Sequence, residues 1–139
     1  MQTPRFISSD EVEQIHADQI ASFGGTPGIR DPGLLESALA QPQASFGGQL
    51  LYPTIAEQVV YLFHLAMNHL FIDGNKRTAF AVMDTFLRLN GYSLDLSDQQ
   101  AYELVMQVVE GRLDKTALSQ LILPNPQINK EGTVGEAYA

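Results

Sequence analysis

The chain contains no cysteine and is short of positive charge. Without cysteine, neither a disulfide framework nor a thiolate metal site can form. Eight Lys and Arg residues stand against 16 Asp and Glu, which gives a formal net charge of −8. A protein that binds the phosphate backbone of a nucleic acid needs a basic face, so we expect no direct nucleic-acid partner.

Long hydrophobic runs are also missing. No apolar stretch approaches the roughly 20 residues that a membrane-spanning helix needs, and the N-terminus lacks the pattern of a signal peptide. We therefore expect no membrane partner and a cytoplasmic location. The chain of 139 residues is 45% hydrophobic and 17% charged. This length and composition are typical of one folded globular domain.

Capping residues and glycines divide the chain into predicted helices. Ser8 and Glu11 form a capping-box pattern ahead of the first helix, which Gly24 and Gly25 end. Asp31, followed by Pro32 at the first helical position, begins the second. The remaining helices are predicted to begin beside Thr54, Gly74, Ser97 and Asp114.

Residues 42–52 interrupt this helical pattern. Their centre suits a short hairpin or flap formed by Phe46, Gly47, Gly48, Gln49 and Leu50. The predicted fold class is therefore all-α, a compact bundle of about six helices with one small hairpin. We predict a domain over residues 1–123 and a flexible tail over 124–139, where periodic apolar residues are scarce.

A polar segment of nine residues lies between two strongly apolar helices. Its polar side chains are His69, Asp73, Asn75, Lys76 and Arg77. Polar groups in such a place must be paired or used, because burying them alone is costly. The helix that begins near Gly74 and Asn75 offers free backbone N–H groups and the positive end of its dipole, which together predict an anion site.

Each of these residues suits phosphate chemistry. Gly74 lets phosphate oxygens approach the backbone, Asn75 can add a donor, and Arg77 offers a planar cation. Asp73 is the kind of oxygen ligand that Mg²⁺ uses beside substrate phosphates. His69 lies one loop before the anion site, where it could accept a proton from an attacking hydroxyl.

The same residues also have purely structural interpretations. Asp73 could cap the following helix, and Lys76 and Arg77 could be solvated charges. A lone histidine between apolar helices is more often a satisfied core residue, and we interpret His64 in that way. Phe71 is assigned to the core under either interpretation. Only the joint spacing of the segment favours chemistry.

That spacing resembles the signature of the Fic/Doc family, His-x-Phe-x-(Asp/Glu)-Gly-Asn-x-Arg. The matching positions are His69, Phe71, Asp73, Gly74, Asn75 and Arg77. The resemblance covers roughly residues 5–123, and residues 28–36 and 89–92 look like the compact "death on curing" (Doc) branch. The family resemblance implies a Fic-like helical bundle.

The resemblance also implies a role for each matching residue. His69 would be the general base toward a target Ser, Thr or Tyr hydroxyl, and Asp73 would hold Mg²⁺. The phosphates of ATP, the co-substrate, would be held by Gly74, Asn75, Lys76 and Arg77, of which Arg77 is also catalytic. The stretch Phe46–Leu50 would align the target segment by strand addition.

Two positions bear on the type of transfer. Where the AMP-transferring pattern has Gly and a second Arg, this chain has Lys76 and Phe80. Both residues resemble those of the Doc branch. In that branch the nucleotide lies reversed relative to the AMP-transferring enzymes, and the terminal phosphoryl group is transferred. The Doc toxin itself is similar to a kinase that inactivates a translation elongation factor. Gly74, by contrast, matches the wider family, whereas Doc toxins can have Ala there.

We therefore favour a toxin that phosphorylates a protein hydroxyl, with a translation factor as one target that the resemblance suggests. The alternatives are AMP transfer to a protein hydroxyl and a non-catalytic module that binds nucleotide or antitoxin. The intact His69 argues against a mere binder, which needs no base. A helical scaffold protein would leave the polar segment unexplained.

The chain shows no inhibitory motif of the family's (Ser/Thr)-x-x-x-Glu-(Gly/Asn) type. Ser9 and Glu13 have the spacing, but Gln14 follows them, and capping explains that helix better. We expect a separate antitoxin protein to cover the site, with a segment that folds on binding.

Overall fold

The computed structural model describes residues 4–94, 96–122 and 127–128, with only the backbone given for 61, 62, 64–66, 122, 127 and 128. Most of this chain is helical. The helices are α1 (Ser9–Phe23), α2 (Pro32–Ala40), α3 (Ile55–Ala66), α4 (Asn75–Leu89), α5 (Asp98–Val109) and α6 (Lys115–Ile122). The predicted all-α fold class is therefore confirmed, with six helices in the described ranges.

The predicted hairpin is also confirmed. Strands β1 (Ser45–Phe46) and β2 (Gln49–Leu50) pair antiparallel, with Ser45 opposite Leu50, and Gly47 and Gly48 form the turn. A short 3₁₀ helix at Gln41–Gln43 precedes it, where the sequence indicated only a break.

A second pair of strands was not predicted. Strand β3 (Tyr92–Ser93) pairs antiparallel with β4 (Gln127–Ile128). The rest of the predicted flexible tail, 124–139, lies outside the described residues, and so does the side chain of His64. The domain boundary at 123, the flexibility of the tail and the place of His64 stay predictions.

Side chains cap the N-terminal turns of five helices. In α1, Ser8 Oγ accepts a hydrogen bond from Glu11 N at 3.2 Å, and the Glu11 carboxylate accepts one from Ser8 N. The caps of α2, α3, α5 and α6 are Asp31, Thr54, Ser97 and Asp114. Helix α4 differs, because it begins after Gly74 without any side-chain cap.

Helices α3 and α4 pack against each other along the centre of the bundle. Among the residues whose side chains are described, the fully buried apolar ones of these two helices are Val59, Phe63, Ala79, Val82, Met83, Phe86 and Leu87. Helix α1 rests on α4, and α6 rests on α3. The polar segment that joins α3 to α4 is therefore attached at both ends to the most buried helices. Within the described residues, no helix combines the length and apolar character needed to cross a bilayer.

We expect Phe86→Ala to lower the free energy of unfolding by about 3–5 kcal/mol, because the ring is only 1% exposed and its removal leaves a cavity. Phe46→Ala is the matched control, since that ring is 84% exposed, and its effect should stay within about 0.5 kcal/mol. Denaturant unfolding measures both. Similar losses for the two variants would contradict this description of the core.

Candidate active site

The connection from α3 to α4 contains two residues with left-handed backbone conformations. Gly74 has φ of 74°, which glycine adopts freely, and His69 has φ of 58°. For a residue with a side chain this conformation costs roughly 1–2 kcal/mol. His69 is the one non-glycine residue in that region among those described. Strain of this kind persists where the surroundings enforce it, often at functional sites.

The segment after α1 pairs with this connection along one side. Arg30 N donates to the Leu70 carbonyl at 2.9 Å, and Ile72 N donates to the Gly28 carbonyl at 3.2 Å. Phe71, between these bonds, is 1% exposed, which confirms its predicted place in the core. The turn-rich stretch after α1 thus supports the loop that carries the polar segment.

Asn75 closes the loop from the inside. Its side-chain Oδ1 accepts from Phe71 N at 3.0 Å, and its Nδ2 donates to the Phe71 carbonyl at 2.9 Å. Both ends of the amide are therefore occupied by one backbone residue. One Nδ2 hydrogen and the Asn75 backbone N–H remain for a ligand, so the predicted phosphate contact stays a prediction.

The Asp73 carboxylate is held by two backbone amides. Oδ2 accepts from Thr26 N at 3.1 Å and Oδ1 from Gly74 N at 2.9 Å. The Thr26 bond and then the Gly74 bond hold the pKa of Asp73 below its ordinary value, and the charges of Arg77 and His16 lower this pKa further. The side chain is exposed and does not bond the first turn of α4, so the structural interpretation as its cap is wrong.

Arg77 is fixed against the end of α1. Its Nη2 donates to the Gly24 carbonyl at 2.9 Å, its Nη1 reaches the Gln19 carbonyl at 3.4 Å, and Cζ lies 5.7 Å from the centre of the Phe23 ring. Arg77 is half-buried, so its interpretation as a freely solvated charge is wrong. Lys76 is exposed.

All the predicted residues of the loop line one open cleft of about 1070 Å³, just above the usual range of about 300–1000 Å³ for small-molecule sites. From the loop and α4 these are His69, Asp73, Gly74, Asn75, Lys76, Arg77 and Phe80. Helix α5 supplies a mostly apolar wall opposite them, including Tyr102, Val105 and Val109. The cleft is therefore polar and cationic on one side and apolar on the other.

The predicted flap does not join this group. None of the residues Phe46–Leu50 lines the cleft. The hairpin leads into the N-terminus of α3, whereas His69 follows its C-terminus, and a helix of 12 residues is about 18 Å long. Target alignment by the flap stays a prediction.

The N-terminus of α4 opens into the cleft with free amides. The first bond of the helix runs from Thr78 N to the Gly74 carbonyl at 3.0 Å. The N–H groups of Asn75, Lys76 and Arg77 have no acceptor in the described part of the chain. Three aligned donors at the positive end of a helix dipole have the geometry that suits an anion, and the predicted anion site stays a prediction.

Three residues that hold the site were not predicted from the sequence. They are His16, whose ring contacts the loop; Gly25, which packs on the Asp73 carboxylate; and Thr26, whose amide bonds it. A histidine four residues after Val12 and four before Ile20, on the apolar face of α1, was the available signal for the first. Gly25, noted in the sequence only as the end of the first helix, matters because it has no β-carbon to meet the carboxylate. Thr26 acts through its backbone amide, which leaves no mark in the sequence.

These features define a small helical protein in which an uncapped helix N-terminus and an exposed histidine line the same cleft. Residues 6–87, more than half of the chain, match the sequence profile described as the Fic/DOC family. The chain belongs to the Fic/DOC family, which confirms the resemblance seen in the sequence.

Two curated relatives cover most of the chain. "Toxin Doc" of Mycolicibacterium smegmatis (strain ATCC 700084 / mc(2)155) is 39% identical over 113 residues, which are 79% of this chain and 86% of the relative. "Protein kinase doc" of Escherichia phage P1 is 30% identical over 118 residues, 85% of this chain and 93% of the relative. The similarity thus extends over nearly the whole length of each relative.

We expect Gly25→Ala to destabilise the protein by about 1–2 kcal/mol more than Gly24→Ala. A β-carbon on Gly25 would lie 2.8 Å from Asp73 Oδ2, whereas one on Gly24 meets nothing within 4 Å. Both glycines have positive φ, at 120° and 84°, so the Gly24 variant controls for backbone strain. Denaturant unfolding gives the comparison, and equal losses would contradict the contact with the carboxylate.

The lowered pKa of Asp73 predicts how its contribution to stability depends on pH. A carboxylate whose folded pKa is depressed contributes stability that is present above the unfolded pKa, here about 3.8, and lost as pH falls through the folded pKa. The difference in unfolding free energy between wild type and Asp73→Asn should be constant near neutral pH and shrink below 3.8. Denaturant unfolding across the acid range tests this, and a difference unchanged by acid would refute it.

Proposed function

We propose that the protein is a Doc-like toxin that transfers the terminal phosphoryl group of ATP to a hydroxyl side chain of a target protein. The observation that carries the proposal is the uncapped N-terminus of α4, whose free amides face the same cleft as His69. One relative is named a toxin, which supports the toxin role, and the other is named a protein kinase, which supports phosphoryl transfer.

The phosphates of the nucleotide would bind at the first turn of α4. There the amides of Asn75, Lys76 and Arg77 offer three N–H donors, and Gly74 lacks a side chain that would obstruct them. The guanidinium of Arg77 is already oriented by Gly24, so little freedom is lost when it meets a phosphate oxygen. The exposed Lys76 adds a second cation to the same cleft.

Asp73 is the residue that would hold Mg²⁺. Its lowered pKa keeps it ionised, and each carboxylate oxygen accepts one backbone hydrogen bond and retains a second lone pair. Among the described residues no group of three or more acidic or histidine side chains gathers, which suits a cation that uses one carboxylate plus substrate phosphates. When bound, the ion would neutralise charge on the phosphates.

His69 would act as the general base. Its ring is exposed at the cleft, on the loop that precedes the anion site. In the transfer, a bond forms between the target oxygen and the terminal phosphorus while the bond to the bridging oxygen breaks. The hydroxyl proton passes to His69, and ADP leaves. Arg77 would stabilise the charge that spreads over the phosphoryl oxygens.

Lys76 and Phe80 support phosphoryl transfer over AMP transfer. Lys76 extends from the first turn of α4 into the cleft, so it occupies space beside the anion site. Phe80 is half-buried in the cleft wall at the position where the AMP-transferring pattern has a second arginine. Without that arginine, the cleft lacks a cation for terminal phosphates in the adenylylating orientation.

A separate antitoxin partner and a cytoplasmic location belong to the same proposal. Large apolar side chains remain exposed around the cleft: Phe23 at 70%, Tyr102 at 62% and Ile72 at 56%. Exposed apolar groups rimmed by polar ones are typical of protein interaction sites. The name of the mycobacterial relative as a toxin supports a partner that covers them.

We expect a bacterial lysate incubated with the protein, ATP and Mg²⁺ to gain one phosphate group on one protein, detected by mass spectrometry. A translation factor is the first target to examine. His69→Ala should lose at least about a hundredfold in rate, because a positioned general base contributes that much. Its thermal midpoint should match that of wild type, since the ring is exposed.

The other outcomes decide between the alternatives. A product that carries AMP would replace the kinase by an adenylylating enzyme. No modification, with ATP binding retained, would make the protein a non-catalytic binding module. Equal activity in His69→Ala would overturn the assignment of the base.

A further inference from the structure

His16, in the middle of α1, contacts the loop through both its ring face and its ring edge. It is 4% exposed, its ring stacks on Phe71 with centroids 4.0 Å apart and planes 7° apart, and Nε2 lies 2.8 Å from the Asp73 carbonyl oxygen. A carbonyl only accepts hydrogen bonds, so Nε2 carries the hydrogen. His16 is not among the residues that line the cleft.

The bond to Asp73 fixes the orientation of one peptide plane. The Asp73 carbonyl and the Gly74 N–H belong to the same planar trans peptide and point in opposite directions. Because His16 holds the carbonyl toward α1, the Gly74 N–H is directed away from it, to Asp73 Oδ1 at 2.9 Å. The side chain of Asp73 thus depends on the orientation of its own peptide.

Without the hydrogen bond from His16, the Asp73–Gly74 peptide would be free to rotate. Gly74, with φ of 74°, adopts either sign of φ at little cost, so its neighbouring peptide can flip. A flip would withdraw the Gly74 N–H from the carboxylate. No side chain of α4 caps this end of the helix to prevent it.

The stack on Phe71 determines where the donor points. Phe71 is itself held by the Asn75 side chain through two hydrogen bonds. The ring of His16 therefore lies against a fixed surface, and α1 packs tightly here: a β-carbon on Gly74 would lie 3.2 Å from Ile20 and 3.8 Å from Nε2.

We propose that His16 is a positioning residue, whose Nε2–H locks the Asp73–Gly74 peptide and so holds the Asp73 carboxylate and the start of the anion site in place. The structural part of this inference stands by itself. Its consequence for catalysis rests on the proposed phosphoryl transfer.

Two substitutions separate the hydrogen bond from the packing. His16→Phe keeps an aromatic ring against Phe71 but has no donor. His16→Gln places an amide nitrogen where Nε2 lies but has no ring. If the donor positions the peptide, the Gln variant should resemble wild type and the Phe variant should not. If the ring only fills space, the order should be reversed.

The first measurement is hydrogen exchange of the Gly74 and Thr26 amides by NMR, which needs no activity. Both amides bond the Asp73 carboxylate, so exchange should be at least about tenfold faster in His16→Phe than in His16→Gln. Equal rates, or faster exchange in the Gln variant, would overturn the proposal.

A second pair remains if His16→Phe does not fold. His16→Asn and His16→Gln both lack the ring and differ by one methylene, and the shorter amide does not reach the Asp73 carbonyl. Faster exchange in the Asn variant is expected, and equal exchange would contradict the role of the donor.

The catalytic consequence is measured on the same variants. Measured below the unfolding transition of each variant, the transfer rate should fall about tenfold or more in His16→Phe and recover to within about threefold in His16→Gln. If wild type transfers nothing, the proposed function fails while the exchange comparison still decides the role of His16. If wild type is active and the two variants are equally impaired, the positioning role is wrong.

Discussion

An uncapped helix N-terminus is the feature around which the site is arranged. The first three amides of α4 have no acceptor in the described part of the chain, although the residues beside them are well suited to capping. Asn75 is turned back onto Phe71, and Asp73 is turned outward to Thr26 and Gly74. The other five helices use a side chain for this purpose. At α4 the same kinds of side chain bond other groups and leave the three amides uncapped.

The surroundings of the loop make up for the missing cap. Three separate contacts come from α1 and the segment that follows it: His16 on the Asp73 carbonyl, Thr26 on its carboxylate, and Gly24 on Arg77. These contacts hold a loop that contains two left-handed residues, a conformation that persists only where the surroundings enforce it.

Charge is distributed unevenly in this acidic protein. The chain carries −8 overall, yet Lys76 and Arg77 lie together at the positive end of α4, within the same cleft as Asp73. Local fields of this kind decide what a cleft binds, whereas the net charge governs the approach of large polyanions. The cleft therefore differs in local charge from the chain as a whole, because two cations lie beside one carboxylate.

The sequence by itself determined the helices, the hairpin and the composition of the loop. Caps such as Ser8 with Glu11 act over three residues, so their pattern is visible in the chain and local physics enforces it. Tertiary structure alone decided what holds the loop. The bonds from Asp73 to His16 and to Thr26 join residues 57 and 47 positions apart, and two of their four partners are backbone groups. Such contacts depend on how α1 packs against α4, and a backbone donor has no signature in the sequence.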